Sequence, residues 1–395
     1  MAGLLSIGAG PFQLPLIRKA KARGLTVIAC DGDPAAPGLA MADHAAVADI
    51  RDPKACLAIA LKFEVDAVTC LATEAGVVSA AFIAQEMGLP GLPVAAAGLV
   101  TDKLAMRRAF ERARLASTVF YGCASLDEAR TALTTIGGPA VVKPANGAGS
   151  RGVSYVGSPA ELETAYGRAR AVAGDSSVLV EAFMPGHEVA VEAIMWGERF
   201  ELLCISDKIR TRPPYLLDLQ LWYPSPRPAA EHAAIAQLAE AAARALDVRN
   251  APLHIEIMMT ADGPRLVEVA ARGAGFHVFS EITPVVTGVD TISAQIDLAY
   301  GITPPPAPRI PGGAVLDFPQ IPPGRITAIA GEDEIRAHPG VLFYERFRNV
   351  GDVVEPLRSG ADRVCAIATR GQTLEEAREV LAWAHGVLRI ETQGS

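Results

Sequence analysis

Two glutamates, Glu256 and Glu268, stand in the stretch APLHIEIMMTADGPRLVEVAARGAGF, residues 251–276. Polar and apolar residues alternate on both sides of ADG, so the stretch reads as a hairpin turning near Asp262. Alternate residues of a strand share a face. His254 and Glu256 therefore point one way, Glu268, Ala270 and Arg272 share a face of the return strand, and the two glutamates fall nearly opposite each other. Opposed carboxylates in an apolar hairpin repel, and burying them uncompensated is costly. A divalent cation between them removes the conflict, and magnesium suits the pair because it takes carboxylate oxygens together with phosphate oxygens. The plain alternative is two exposed glutamates on a sheet face.

A second stretch, AVVKPANGAGSRGVSYV at 140–156, puts Lys143 at the end of an apolar run and follows it with Gly147, Gly149 and Gly152. Glycine loops bring backbone N–H groups up to phosphate oxygens. Gly147 and Gly152 have the spacing of a P-loop, but Val153 stands where its lysine would be, and VSYV resumes as a strand. The pattern is strand–loop–strand, a hairpin able to fold over a phosphate chain or to serve as an ordinary surface turn. Lys103, in TDK, sits in the first turn of a helix beginning near Asp102, where a solvated lysine is the plain reading. His187, Glu188 and Glu192 cluster around MPGHE, which joins two strands.

The elements that must position these residues follow from periodicity. Residues 1–98 alternate strand and helix, predicting a βαβαβ unit with a parallel sheet. Its first turn, GAG, and Asp31 are similar to a dinucleotide fingerprint, but the third glycine position holds Gln13. Residues 92–101 read as a loop, 210–226 as a Pro-rich loop, and 301–313 (GITPPPAPRIPGG) as a Pro-rich linker. Beyond it, three short strands and the helix TLEEAREVLAWAHGVL predict a small α+β unit. The expected division is 1–98, 99–300 with a lid over about 118–180, and 301–395.

The bulk numbers narrow the partners. With 395 residues, 50% of them hydrophobic and a net charge of −8, the chain can build sizeable cores and offers nothing to nucleic acid or an anionic membrane. No apolar run reaches the ~20 residues of a membrane span. The N-terminus has no basic leader region, so no signal peptide is expected. Six scattered cysteines without a C-x-x-C pair point to reduced thiols in the cytoplasm and away from zinc.

In this order, TDK, VVKPANGAGSRGV, VLVEAFMPGHEVAVE, and HIEI with VEVAAR, between a Rossmann-like half and an α+β tail, the chain resembles the ATP-grasp superfamily, and within it the carboxylate–amine ligases. Biotin carboxylase, phosphoribosylglycinamide synthetase and L-amino-acid ligases share the arrangement. The resemblance implies an α/β ATP-grasp fold with an N-terminal Rossmann-like half domain, a central ATP-grasp unit with a mobile lid, and a small C-terminal α+β domain. It implies that Lys103 and Lys143 hold ATP phosphates. The loop 146–153, with Gly147, Gly149, Ser150, Arg151, Gly152 and Val153, closes over the β and γ phosphates. The backbone of Glu181, Ala182, Phe183 and Met184 meets adenine, and Glu188 meets the ribose hydroxyls. Glu256 and Glu268 ligate Mg2+, with Mn2+ as the alternative ion. Arg272 stabilises the transferring phosphoryl group, and Lys208 faces ATP or the carboxylate.

The implied reaction forms an amide from a small carboxylate, such as an amino acid, and an amine. It runs through an acyl phosphate and leaves ADP and phosphate, and dimers are common in the family, so a homodimer is implied. A purine-pathway ribonucleotide ligase and a non-catalytic ATP-binding homologue are the alternatives. Two positions depart from the family pattern. Ala270 stands where many members carry a metal-binding asparagine, and Leu221 and Trp222 stand where relatives carry a polar pair. The second departure implies a more apolar or differently shaped substrate.

Overall fold

The strand GLLSI is buried at all five positions, as a central parallel strand covered on both faces must be. In the computed structural model, which describes residues 2–147, 149–303 and 311–394, it is β1 (Gly3–Ile7). It pairs in parallel with β2 (Thr26–Asp31) and β4 (Ala67–Thr69), and β2 with β3 (His44–Val47), giving the order β3-β2-β1-β4. The predicted βαβαβ unit is thus present. The glycine turn after β1 is occupied by its own chain. Asp31 accepts a hydrogen bond from the Ala9 amide at 2.7 Å, and buried Gln13 packs beside Gly8 and donates to the Leu71 carbonyl at 2.5 Å.

A second, antiparallel sheet has the order β5-β8-β6-β7, from β5 (Phe120–Cys123), β6 (Ala140–Pro144), β7 (Ser154–Val156) and β8 (Val178–Ala182). It owns a separate core with the helices Leu126–Ile136 and Leu162–Ala173. The third sheet is the largest and antiparallel throughout, in the order β13-β12-β9-β10-β11-β14-β18-β16. Its strands are β9 (His187–Trp196), β10 (Arg199–Arg210), β11 (Asp218–Tyr223), β12 (Ala251–Thr260), β13 (Gly263–Ala270), β14 (Gly313–Asp317), β16 (Val341–Arg346) and β18 (Cys365–Gly371). Gly186, between β8 and β9, has φ +155°, and a Cβ there would lie 2.1 Å from the Met259 carbonyl. Only glycine lets the chain cross β12 so closely.

Two expectations change. Residues Val94–Thr101 are helical, and the helix stops because the Asp102 side chain caps the next one, Lys103–Arg112, by accepting from the Leu104 and Ala105 amides. The Pro-rich loop contains β11, hidden between the prolines of RPPY and YPSP, whose alternate residues Leu221 and Tyr223 are buried. The α+β tail joins the central sheet: β14 pairs with β11, so the sheet runs straight into C-terminal strands. Only β15 (Gly324–Ala330), β17 (Val353–Val354) and β19 (Arg389–Gln393) form a small sheet of their own. Residues 304–310 of the expected linker, and Ala148 of the glycine loop, lie outside the described residues. No helix among the described residues is long and apolar enough to cross a membrane.

Candidate active site

A cavity of about 570 Å³ opens between the second and third sheets. It is lined by every residue to which the resemblance assigns a role except Gly152, whereas His187 and Glu192 of the MPGHE cluster are not in its lining. Gly152 instead lies against the helix Leu162–Ala173, where a Cβ would meet the Arg168 carbonyl at 3.2 Å, so its part is to let the loop pack. Gly147, Gly149, Ser150, Arg151 and Val153 line the cavity from the β6–β7 loop, and the Val153 amide donates to the Ser150 carbonyl at 3.3 Å.

Glu256 and Glu268 are direct register partners across β12 and β13, as the alternation predicts. Each is answered by a lysine. Lys103 Nζ sits 2.9 Å from Glu268 and also donates to the Gly147 carbonyl at 2.8 Å, which ties the glycine loop to β13. Burial works against the Lys103 charge, but Glu268 and Glu74 outweigh it and hold the ammonium above its usual range. Lys208, on β10, touches Glu256, Glu188 at 2.9 Å and Asp218 at 3.2 Å. Burial raises the Glu256 carboxyl; Lys208 and His254 overcome that and hold it well below the usual carboxylate range.

His254 lies between two carboxylates, with Nδ1 2.6 Å from fully buried Glu192 and Nε2 3.8 Å from Glu256. Burial disfavours its charge, yet these partners push the imidazole up to about 9, so it is a cation at neutral pH. Its register partner is Ala270, where the resemblance expects an asparagine ligand. No group of three or more acidic, histidine or cysteine side chains forms a closed metal cage among the described residues. The donor set nonetheless fits magnesium, which takes one or two carboxylates and completes its shell with phosphate and water.

The other predicted lysine belongs to a cluster that the sequence did not announce. Lys143 lies 2.7 Å from Glu181, and Arg107 grips the same carboxylate at 2.7 and 3.2 Å while donating to the Val267 carbonyl at 2.7 Å. All three side chains are buried. Burial alone would raise the Glu181 carboxyl, but Arg107 and Lys143 bring it down to about 2. Two cations share one carboxylate, and Lys143 is the one left short: burial, reinforced by Arg107, lowers it more than Glu181 restores it. The Glu181 side chain is thus an ion-pair centre, a role separate from the backbone role expected of the 181–184 segment. Ala182 and Phe183 also spend their amides within the protein, on the Val119 and Pro139 carbonyls at 2.9 Å each. Met184 remains a cavity-lining member of the segment.

Glu188 is likewise engaged. One oxygen accepts from Lys208 and the other from Arg210, so a ribose hydroxyl would have to share it. Arg272 is 3.7 Å from Glu74, a half-buried glutamate on the loop after β4 that sequence reasoning missed. Burial, with Glu268 nearby, raises the Glu74 carboxyl. Leu221 forms cavity wall, while Trp222 points to the opposite sheet face, under the Arg378 guanidinium at 4.7 Å from its ring. Only one member of that pair therefore shapes the cavity.

The chain is similar to known proteins in both halves of this arrangement. Residues 136–280 match the ATP-grasp domain family, and residues 318–393 match L-amino acid ligase C-terminal domain 2. Carnosine synthase 1 of Gallus gallus is 29% identical over 257 residues, covering 59% of this chain and 27% of that protein. A formate-dependent phosphoribosylglycinamide formyltransferase of Prochlorococcus marinus is 33% identical over 185 residues, covering 46% of this chain and 47% of that protein. The chain thus spans half or less of the length of these curated relatives. Among solved structures, L-amino acid ligase from Bacillus licheniformis superposes with a TM-score of 0.84 at 23% identity, covering 100% of this chain and 99% of that one. With the lysine-anchored glycine hairpin of one sheet facing the paired glutamates of the next, and both matched segments in sequence order, the chain has the ATP-grasp fold, and its residues 136–280 match the ATP-grasp domain family.

Proposed function

We propose that the chain is an ATP-dependent, ADP-forming carboxylate–amine ligase whose carboxylate is an amino acid or a similar small acid. The observation that carries this is the facing pair Glu256 and Glu268 in one cavity with Lys103, Lys143, Arg272 and the glycine loop. In the reaction, a carboxylate oxygen attacks the γ-phosphorus of ATP and the bond to the β–γ bridging oxygen breaks, releasing ADP. The amine nitrogen then attacks the acyl carbon, the bond to the phosphate-bearing oxygen breaks, and phosphate departs with that oxygen. The amine loses its proton.

Each residue has a task set by its surroundings. Glu256 and Glu268 hold magnesium, or manganese in its place. When bound, the ion neutralises phosphate oxygens. Lys143, under-compensated in its cluster, is completed by a phosphate anion. Lys103 holds a second phosphate and ties the loop to Glu268. Arg272 faces the transferring group, and Lys208 keeps Glu256 ionised. The loop 146–153 covers the phosphates and excludes the water that would hydrolyse an acyl phosphate. Met184 meets adenine, and Glu188 meets the ribose through a carboxylate it shares with Arg210. Six free, buried cysteines support a cytoplasmic setting.

The purine-ligase alternative needs cations for a ribose phosphate. Among the cavity's cations, Lys103, Lys143, Lys208, Arg210 and Arg272 each already face a carboxylate. The test is ADP release across carboxylates and amines, offered singly and in pairs with Mg2+. A carboxylate–amine pair that drives stoichiometric ADP release supports the ligase. Tight ATP binding with no ADP from any pair would leave the non-catalytic reading standing.

A further inference from the structure

Arg363 also lines the cavity, and among the described residues it forms no ion pair with a carboxylate. Arg363 follows the short turn Gly360–Asp362 and is 9% exposed. Its guanidinium carbon lies 3.5 Å from the centroid of Phe318 and 4.8 Å from that of Phe276. Its Nη2 donates to the Asp218 backbone carbonyl at 2.8 Å, and that is its one hydrogen bond among the described residues. Nε is buried without a partner. Burial pulls the guanidinium down to about 10, with Asp218 only partly restoring it, so it stays charged at neutral pH at a cost. A buried cation without a counter-charge is expensive to keep unless something else supplies one.

The surroundings say what that something is. Asp218, which holds Arg363 through its backbone, also lines the cavity with a carboxylate that is 27% exposed. The Asp218 carboxylate, 3.2 Å from Lys208, and the Arg363 guanidinium thus line the same cavity, a complement for an ammonium and a carboxylate on one carbon. Around them the wall is apolar: Leu216, Leu221, Phe276, Leu316 and Phe318. We infer that Arg363 is a specificity-determining residue that binds the α-carboxylate of the amine substrate, which is therefore an α-amino acid with an apolar side chain. The inference rests on the ligase reading for the name of the substrate, but the binding it asserts is measurable without turnover.

The full chain, saturated with AMP-PNP and Mg2+, is titrated by calorimetry with L-phenylalanine, L-leucine and L-methionine and with their decarboxylated amines. A charge-assisted pair to a buried guanidinium makes the amino acids bind roughly 10- to 150-fold tighter than the amines. Arg363→Met brings that ratio towards one, and Arg363→Lys recovers part of it. Circular dichroism and AMP-PNP binding check that each variant is folded. Wild-type protein that binds amines as tightly as amino acids, that binds neither, or an Arg363→Met variant that keeps the full ratio would overturn the assignment. Failure of the ligase reading would appear separately, as absence of ADP release with ATP in place of AMP-PNP.

Discussion

Glu181→Gln isolates the buried cluster that fastens the second sheet to the rest of the fold. Arg107 comes from the helix Lys103–Arg112, Glu181 from β8, Lys143 from β6, and the Val267 carbonyl from β13. Glutamine keeps the shape but leaves two buried cations without a counter-charge. Removing one partner of a buried pair costs about 3–5 kcal/mol. The titration shift gives a second figure: from 4.5 to about 2, at 1.36 kcal/mol per pH unit, is roughly 3 kcal/mol. Because the folded-state value is depressed, this contribution is present above pH 4.5 and is lost as pH falls through about 2. Hydrogen exchange at pH 7 reads the effect where it arises, since the second sheet has its own core. Glu181→Gln is expected to speed exchange across residues 120–182 by roughly two to four orders of magnitude, following roughly 3–5 kcal/mol. Replacing all three members, as Arg107→Met, Glu181→Leu and Lys143→Met, restores slow exchange while abolishing ATP binding. Wild-type exchange rates in Glu181→Gln would refute the reasoning.

Lys143→Met removes the cation that the cluster under-compensates, so thermal stability holds or rises while ATP affinity falls roughly 10- to 100-fold; calorimetry and a melting curve read both, and a lower melting temperature contradicts the charge assignment. Glu256→Gln and Glu268→Gln each abolish Mg2+-dependent ADP formation with the circular dichroism spectrum unchanged; full turnover in either contradicts the metal assignment. His385, on the helix Leu374–Val387, bonds to buried Asp317 at 2.8 Å, and this bond, opposed by burial, raises the imidazole. Its stabilisation is full below the ordinary histidine value of about 6.5 and is lost as pH rises through the higher folded value. An NMR titration of its ring protons is expected to have a midpoint above that value, and Asp317→Asn to bring it back.

Strand alternation carried the most information. The hairpin that pairs Glu256 with Glu268 was legible because a period of two fixes which side chains face each other once the turn is located. The glycine hairpin was legible for the same reason, with β6 and β7 in the expected places. Ion-pair partners were not, because they come from distant segments. In KLAMRRAFER, Arg107 and Arg108 look alike, yet Arg107 is 1% exposed. A signal existed: Arg107 falls four residues after Lys103 and three before Phe110, on the helix's inner face. Glu74 and Arg363 had no such signal, since both stand in irregular segments whose course depends on the completed fold. Strand β11 was masked by flanking prolines that bound it and do not interrupt it.

The most direct measurement follows an oxygen atom. A carboxylate substrate found by the ADP-release screen is labelled with 18O on its carboxyl group and turned over with ATP, Mg2+ and the amine. Attack on the γ-phosphorus predicts one 18O atom in each phosphate released, with ADP as the nucleotide product. Unlabelled phosphate, or AMP carrying the label, would contradict an acyl phosphate formed in this cavity.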